Sequence, residues 1–222
     1  MREILDKIAV CVERGKVNLK STYPPEMSGQ AGVDELTAEA LACGIPPSDV
    51  LTQGLMTGMR NIGLKFRENQ VFVPDVLMSA KAMNTAMRHL RPYFTTGAVR
   101  HRGTFIIGTV SGDLHDIGKN LVAMMVEGNG WEVIDLGVDV SSEQLISTIN
   151  NYPGCIVGLS ALLTTTMINM EKTVREIKAI YPSVRCIVGG APLTNEFAVK
   201  IGADGYSPDP QGAVEFLNNL SV

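Results

Sequence analysis

The second half of the chain alternates short apolar runs with helical stretches, and this alternation constrains the fold more than any other feature. Five runs are typical of strands: residues 104–107, 132–136, 156–159, 186–188 and, more weakly, 204–206. Helical patterns begin near Ile117, Ser142, Thr166, Asn195 and Gln211. The alternation predicts an α/β domain, flavodoxin-like or Rossmann-like, with a five-stranded parallel sheet and helices on both faces. Sheets of this type bind ligands beyond the carboxyl ends of their strands.

The first part of the chain instead carries apolar residues at helical spacing. The spacing predicts helices over residues 2–14, 34–43 and 48–62, with Ser48 as an N-cap, and a fourth with Pro74 in its first turn. Four such helices predict a small bundle. Residues 21–32, rich in proline and glycine, are predicted to form a loop. The predicted organisation is a helical domain of residues 1–91, a linker of residues 92–102 and an α/β domain of residues 103–222.

Composition excludes several classes of protein. The chain has 19 Lys and Arg against 23 Asp and Glu, with no block of like charges, so we expect no nucleic-acid binding. The cysteines form no Cys-x-x-Cys pair, which indicates reduced thiols rather than disulfides or a zinc site.

No apolar run approaches the roughly 18 residues of a membrane span. The N-terminal residues also lack a signal-peptide pattern, and we therefore expect a cytoplasmic protein.

The segment between Gly112 and Asn120 carries the clearest chemical signal, because it follows the first predicted strand at the ligand-binding edge. It fits neither a Walker loop nor the Gly-x-Gly-x-x-Gly dinucleotide motif. What remains is Asp113-x-His115-x-x-Gly118. A neutral imidazole binds transition metals, a nearby carboxylate can fix its tautomer, and a glycine lets a bulky ligand approach the backbone. On these residues alone, a surface hydrogen-bonded pair is the commoner structure. A zinc site formed by Asp113, His115 and Asp116 is less favoured, because no second histidine or cysteine lies near in sequence.

Four ordered segments resemble the cobalamin-binding region of methionine synthase and the small corrinoid proteins of methyltransferase systems. The sequence from Asp113 to Asn120 (Asp-Leu-His-Asp-Ile-Gly-Lys-Asn) is similar to the family's cobalamin-binding signature. Residues 158–165 resemble its Ser-x-Leu segment, and residues 188–191 resemble its Gly-Gly segment. Residues 72–80 resemble its helical cap motif. The resemblance covers nearly the whole chain after about Asp34, and it implies that the bundle is a cap domain.

The resemblance implies a cobalamin cofactor whose benzimidazole leaves the cobalt, so that His115 becomes the axial ligand and Asp113 its hydrogen-bond partner. It assigns the cofactor pocket to Asp113, His115, Asp116, Gly118, Ser160, Leu162, Thr164, Thr165, Gly189 and Gly190. It assigns the cover of the reactive corrin face to Met59, Phe66, Val73 and Leu77. Ordinary core packing also explains apolar residues at such spacing, and helix capping also explains Thr164–Thr166. No catalytic residue is implied beyond the cofactor.

The function that the resemblance implies is methyl transport on cobalt. The donor enzyme would be a substrate-specific methyltransferase, and the acceptor enzyme a second methyltransferase acting on tetrahydrofolate or a thiol. A reductive activator would be a further partner, and the chain would not be catalytic alone.

The alternative is a cobalamin-binding sensor or regulatory module, which would pair these domains with a DNA-binding domain. A mutase subunit is a second alternative, but it would not need the cap motif. A flavodoxin-like module without cobalamin is the third. The methyl donor stays open among methoxylated aromatics, methylamines, methanol and betaines.

Overall fold

A computed structural model describes residues 2–220 of the chain. Met1 and the last two residues of the predicted α/β domain, Ser221 and Val222, lie outside the described residues. The chain divides into two compact units. The first contains the chain up to His101 together with Gly128–Gly130, and the second contains Arg102–Glu127 and the chain from Trp131 onward.

The first unit is helical, as predicted. Its α-helices are α1 (Arg2–Glu13), α2 (Val33–Ala42), α3 (Pro47–Asp49), α4 (Met56–Arg67) and α5 (Val73–Thr95). A π-helical segment, Val50–Leu55, joins α3 to α4. Glycine allows α4 to approach α1 closely, because a Cβ atom at Gly58 would lie 2.5 Å from the Ala9 carbonyl oxygen. A short 3-10 turn, Pro25–Met27, interrupts the predicted loop.

Two helix boundaries differ from the prediction. The third helical stretch begins at Pro47, so that Ser48 lies in its first turn rather than at the N-cap, because proline at the first position already fixes a helical φ. It continues past Ile62 and ends beside Asn69, whose left-handed φ of 57° stops the helix. We therefore correct both the start and the end of this helix.

The last helix of the first unit also runs further than predicted. Pro92 was expected to open the linker, but it lies inside α5, which continues to Thr95. A single proline removes only one backbone N–H donor. The helix can therefore continue beyond it when the N–H groups of the following residues still donate to helical carbonyls. The helix ends where Gly97 adopts a φ of +75° and its N–H donates to the Phe94 carbonyl at 3.1 Å. The first residues of the predicted linker are therefore helical, and the domain boundaries stay a prediction.

The second unit is the predicted five-stranded parallel sheet. Its strands are β1 (Thr104–Thr109), β2 (Glu132–Asp135), β3 (Ile156–Ser160), β4 (Arg185–Gly189) and β5 (Gly205–Ser207). Its helices are α6 (Ile117–Glu127), α7 (Ser142–Asn151), α8 (Met167–Ile180), α9 (Asn195–Ile201) and α10 (Pro210–Leu220). The strand order β2-β1-β3-β4-β5 is the flavodoxin-like order, which confirms the predicted class.

Strand register brings the ends of three strands side by side. Thr109 pairs with Ser160, and Ser160 pairs with Gly189, so β1, β3 and β4 end at the same edge of the sheet. The strands themselves are apolar because helices cover both faces, and Ile106 and Val157 are completely buried. The polar loops that follow these strands are therefore held beside one another by a rigid sheet.

Candidate functional site

The loop between β1 and α6 is anchored by its neighbours before any ligand is considered. The Gly112 N–H donates to Asp139 Oδ1 at 2.7 Å, and the Asp139 N–H donates to the Asp113 carbonyl at 3.0 Å. On the other side, Asn169 of α8 donates from Nδ2 to the Ser111 carbonyl at 2.8 Å. These contacts fix the start of the loop relative to the sheet.

Asp113 is a buried carboxylate that accepts hydrogen bonds on both oxygens. Its Oδ1 accepts from the His115 N–H at 3.1 Å and lies 2.7 Å from His115 Nδ1. Its Oδ2 accepts from the backbone N–H groups of Leu162 and Leu163, at 2.7 and 3.2 Å. The Thr166 hydroxyl donates to the same oxygen at 2.8 Å. The carboxylate thus ties the β1–α6 loop to the turn that follows β3.

These donors also determine the ionisation of Asp113. Burial alone would raise the pKa of the carboxyl group, because the charged form is desolvated. Hydrogen bonds from Leu162, His115 and Thr166 outweigh that effect and hold the pKa of Asp113 well below its usual value. The side chain is therefore an anion that can only accept hydrogen bonds.

His115 presents one free ring nitrogen. The Asp113 anion can only accept a hydrogen bond, so Nδ1 of His115 must donate it. In a neutral ring the proton therefore lies on Nδ1, and Nε2 carries the lone pair. Among the described residues, Nε2 has no hydrogen-bond partner, and half of the side chain (50%) is exposed. The backbone is also held, since the Thr109 hydroxyl donates to the His115 carbonyl at 2.9 Å. An oriented imidazole of this kind can bind a metal, and the role of His115 as a ligand stays a prediction.

A metal bound here would need most of its ligands from outside the protein. In the part of the chain that the structure describes, no group of three or more His, Cys, Asp or Glu side chains could hold a metal ion. A zinc site built from Asp113, His115 and Asp116 is therefore not supported. The donor set fits a metal bound through one histidine, with its other ligands supplied by something other than protein.

The remaining predicted pocket residues all lie at the carboxyl edge of the sheet. Gly118 is exposed in the first turn of α6, and a Cβ atom there would meet no atom of the described residues within 4 Å. Ser160 ends β3, and its hydroxyl makes no hydrogen bond to another residue of the described chain. In the turn after β3, Leu162, Thr164 and Thr165 are exposed. The edge thus offers open space and free polar groups, although each residue's role stays a prediction.

The two glycines at the end of β4 differ in what the fold requires of them. At Gly190, φ is +135° and a Cβ atom would lie 1.9 Å from the Ala161 carbonyl oxygen, so only glycine fits. At Gly189, a Cβ atom would lie 3.0 Å from the Ser207 carbonyl oxygen. Gly190 is therefore explained by packing alone, independently of any cofactor.

The predicted cap residues belong to the first unit. Met59 and Phe66 lie on α4, and Val73 and Leu77 lie on α5. Met59 is completely buried, Phe66 and Val73 are partly exposed, and Leu77 is exposed. Their role over the corrin stays a prediction.

Sequence reasoning missed several residues that shape the loop. Thr166 was interpreted as part of a helix cap, whereas its hydroxyl reaches Asp113 across 53 positions of sequence. Neither Thr109 nor Asp139 was singled out. Asp139 has a left-handed φ of 53° without being glycine, which no local pattern predicts. Only the strand order brings these residues together.

Comparisons with known proteins identify both parts of the chain. Residues 103–215 match a family model described as a B12 binding domain, and residues 30–91 match a second model of the same description. The chain is 39% identical over 197 residues to monomethylamine corrinoid protein 2 of Methanosarcina acetivorans, covering 86% of this chain and 90% of that protein. It is 40% identical over 176 residues to trimethylamine corrinoid protein 1 of the same organism, covering 78% and 82%.

A solved structure extends the likeness to three dimensions. The crystal structure of the methanol:cobalamin methyltransferase complex of Methanosarcina barkeri matches with a TM-score of 0.80 and 26% identity, covering 98% of this chain and 79% of that chain. No helix among residues 2–220 is both long and apolar enough to cross a membrane.

Proposed function

The chain belongs to the family of B12-binding corrinoid proteins of methyltransferase systems, and from this membership we propose that it carries a methyl group on cobalt from a substrate-specific methyltransferase to a second methyltransferase. Its cofactor is a cobalamin. When bound, cobalamin supplies a cobalt centre that can accept and release a methyl group. We further propose that the second enzyme acts on tetrahydrofolate or a thiol and that a reductive activator restores the carrier.

The observation that carries the proposal is the pairing of His115 with Asp113. The buried carboxylate lies 2.7 Å from Nδ1, so it fixes the tautomer and the ring orientation. In the neutral ring Nε2 then carries the lone pair that an axial ligand to cobalt must offer, and the side chain is half exposed. In this proposal His115 holds the cobalt, and Asp113 raises the basicity of His115 as a ligand.

The chain's other contribution is a slot for the displaced part of the cofactor. Gly118 leaves open space at the first turn of α6, and the Ser160 hydroxyl offers a hydrogen bond to a polar group of the tail. Leu162 and Leu163 are held in place because their N–H groups bond to Asp113. The same carboxylate therefore orders both the ligand and one wall of the proposed slot.

Methylamines are the donors that we propose to test first. Two relatives, at 39% and 40% identity, are named for monomethylamine and for trimethylamine. Since these similar carriers are named for different methylamines, we propose that the partner methyltransferase, rather than this chain, selects the donor.

Transfer of an isotope-labelled methyl group tests the carrier function. Protein loaded with cobalamin, with its cobalt reduced to Co(I) by an added chemical reductant without oxygen, would be incubated with the donor and a methylamine methyltransferase. The label on the repurified protein would then be measured. We expect labelling only when that enzyme is present, and loss of label only when the second methyltransferase and its acceptor are added. His115→Ala is the matched control, and we expect it to accept less label. A loaded wild-type protein that takes no label from any donor would contradict the proposal and favour a cobalamin-binding sensor.

A further inference from the structure

A second set of contacts holds the other side of the His115 loop. Lys119 lies in the first turn of α6, and its side chain is only 2% exposed. Its Nζ donates to Asp135 Oδ2 at 2.5 Å and to Asn120 Oδ1 at 2.7 Å. Asp135 ends β2, and its other oxygen accepts from the Gly137 N–H at 2.8 Å. Lys119 therefore connects α6 to the end of a strand next to β1.

Asn120 extends these contacts to the neighbour of His115. Its side-chain Nδ2 donates to Asp116 Oδ2 at 3.0 Å, and its backbone N–H donates to the Asp116 carbonyl at 2.7 Å. The series Asp135–Lys119–Asn120–Asp116, here called the Lys119 network, thus runs from β2 to the residue that follows the proposed ligand.

Stability alone does not explain a buried lysine at this position. Removing an ammonium group from water costs free energy, and a buried ion pair often contributes no more than apolar side chains of similar volume. Leucine or methionine would fill the same space without a charge. The hydrogen bonds of the network do, however, fix directions and distances, which apolar packing does not.

The segment around His115 needs such hydrogen bonds because packing does not hold it. The flanking side chains Leu114 and Ile117 are 71% and 69% exposed. Asp113 anchors the segment toward β3, and the Lys119 network anchors Asp116 toward β2. His115 lies between the two anchors.

We propose that Lys119 is a positioning residue for cobalamin, which acts by holding Asp116 and therefore the backbone of His115 and the start of α6. The inference rests on the proposed function, because it takes His115 to be the cobalt ligand. A loop ordered in advance loses less entropy when the cofactor binds, so the network should raise affinity.

Lys119→Met and Lys178→Met form a matched pair of tests. Lys178 of α8 makes a similar ion pair, with its Nζ 2.5 Å from Asp204 Oδ2, but Asp204 lies just before β5 rather than beyond the strand ends. We expect Lys119→Met to raise the Kd for hydroxocobalamin by about tenfold or more, as loss of supporting hydrogen bonds does at metal sites. Lys178→Met should leave that Kd unchanged. In the Co(II) form, electron paramagnetic resonance should show a weaker coupling to the histidine nitrogen in Lys119→Met. In Lys178→Met this coupling should be unchanged.

Asn120→Asp tests the hydrogen bond to Asp116 while leaving the buried Lys119 in place. The new carboxylate can still accept from Lys119, but it has no N–H to donate to Asp116. It should therefore raise the Kd as Lys119→Met does, and it decides the matter if Lys119→Met does not fold. Wild-type Kd and wild-type nitrogen coupling in folded Lys119→Met or Asn120→Asp would overturn the inference. A wild-type protein that lacks histidine coupling would instead overturn the proposed function.

Discussion

Asp113 places a full negative charge inside the protein, and its surroundings show why the charge is tolerated. Each carboxylate oxygen faces N–H or O–H donors, from His115 on one side and from Leu162, Leu163 and Thr166 on the other. Buried charges of this kind persist only when they are fully hydrogen-bonded. The residue therefore couples the stability of the loop to the orientation of the His115 ring.

Asp113→Asn should damage both properties. In asparagine, an NH₂ group replaces one of the two carboxylate oxygens. This group cannot accept a hydrogen bond, so at least one buried donor loses its acceptor. We expect the free energy of unfolding to fall by about 1–3 kcal/mol and the Kd for cobalamin to rise. Urea unfolding without cofactor and absorption titration with hydroxocobalamin measure the two effects.

Asp139→Asn is the matched control. The exposed Asp139 uses Oδ1 to accept from Gly112 and Ser111, and an amide oxygen can do the same. We expect this variant to unfold and to bind cobalamin like the wild type. Equal losses in both variants would show that any change of charge near the loop disturbs it.

At the scale of the elements, the sequence predicted the sheet well because the signals are local. Apolar runs between helical patterns located all five strands, and Pro74 indicated the first turn of α5. The errors concern helix ends at Pro47, Asn69 and Gly97, where single residues decide between stopping and continuing.

The predictable part of the site was the motif, and the unpredictable part was its surroundings. Asp113, His115 and Gly118 lie in one short segment of the sequence and were recognised together. Thr166 and Asp135 contribute through contacts across strands, and no local spacing marks such partners. Their positions follow from the strand order β2-β1-β3, which sequence periodicity does not determine.

The first turn of α6 provides a prediction at this scale. Gly118→Val places a branched side chain where a Cβ atom meets open space, so the fold should form while the proposed tail slot is blocked. We expect a normal circular dichroism spectrum and a strongly raised Kd for cobalamin.

Ser147→Val controls for the cost of a β-branched residue in a helix, because Ser147 is exposed on α7. It should bind cobalamin normally. If Gly118→Val also keeps wild-type affinity, Gly118 does not line the pocket.

At the scale of the molecule, each unit has apolar residues of its own that are fully buried. Ile8 is buried in α1, and a Cβ atom at Gly54 would lie 2.9 Å from its side chain. In the second unit, Leu145 belongs to a buried cluster that includes Val157 and Val174. Compact units with buried residues of their own are typical of domains, and we propose that the two units unfold as separate domains.

Two cavity-forming variants test the domain proposal. Ile8→Ala should destabilise only the helical unit, and Leu145→Ala only the α/β unit, each by about 2–5 kcal/mol. Calorimetry should therefore resolve two transitions, of which each variant lowers one. A single transition that both variants lower equally would show that the chain unfolds as one domain.

The central claim is that His115 provides the axial nitrogen to cobalt, and electron paramagnetic resonance of the Co(II) form tests it most directly. The chain contains 3 histidines, so protein grown with ¹⁵N-histidine and then loaded with cobalamin labels each of them. We predict that labelling changes the axial nitrogen coupling from a triplet to a doublet pattern and that His115→Ala loses this coupling. An unchanged spectrum after labelling, or a histidine coupling that persists in His115→Ala, would contradict the account.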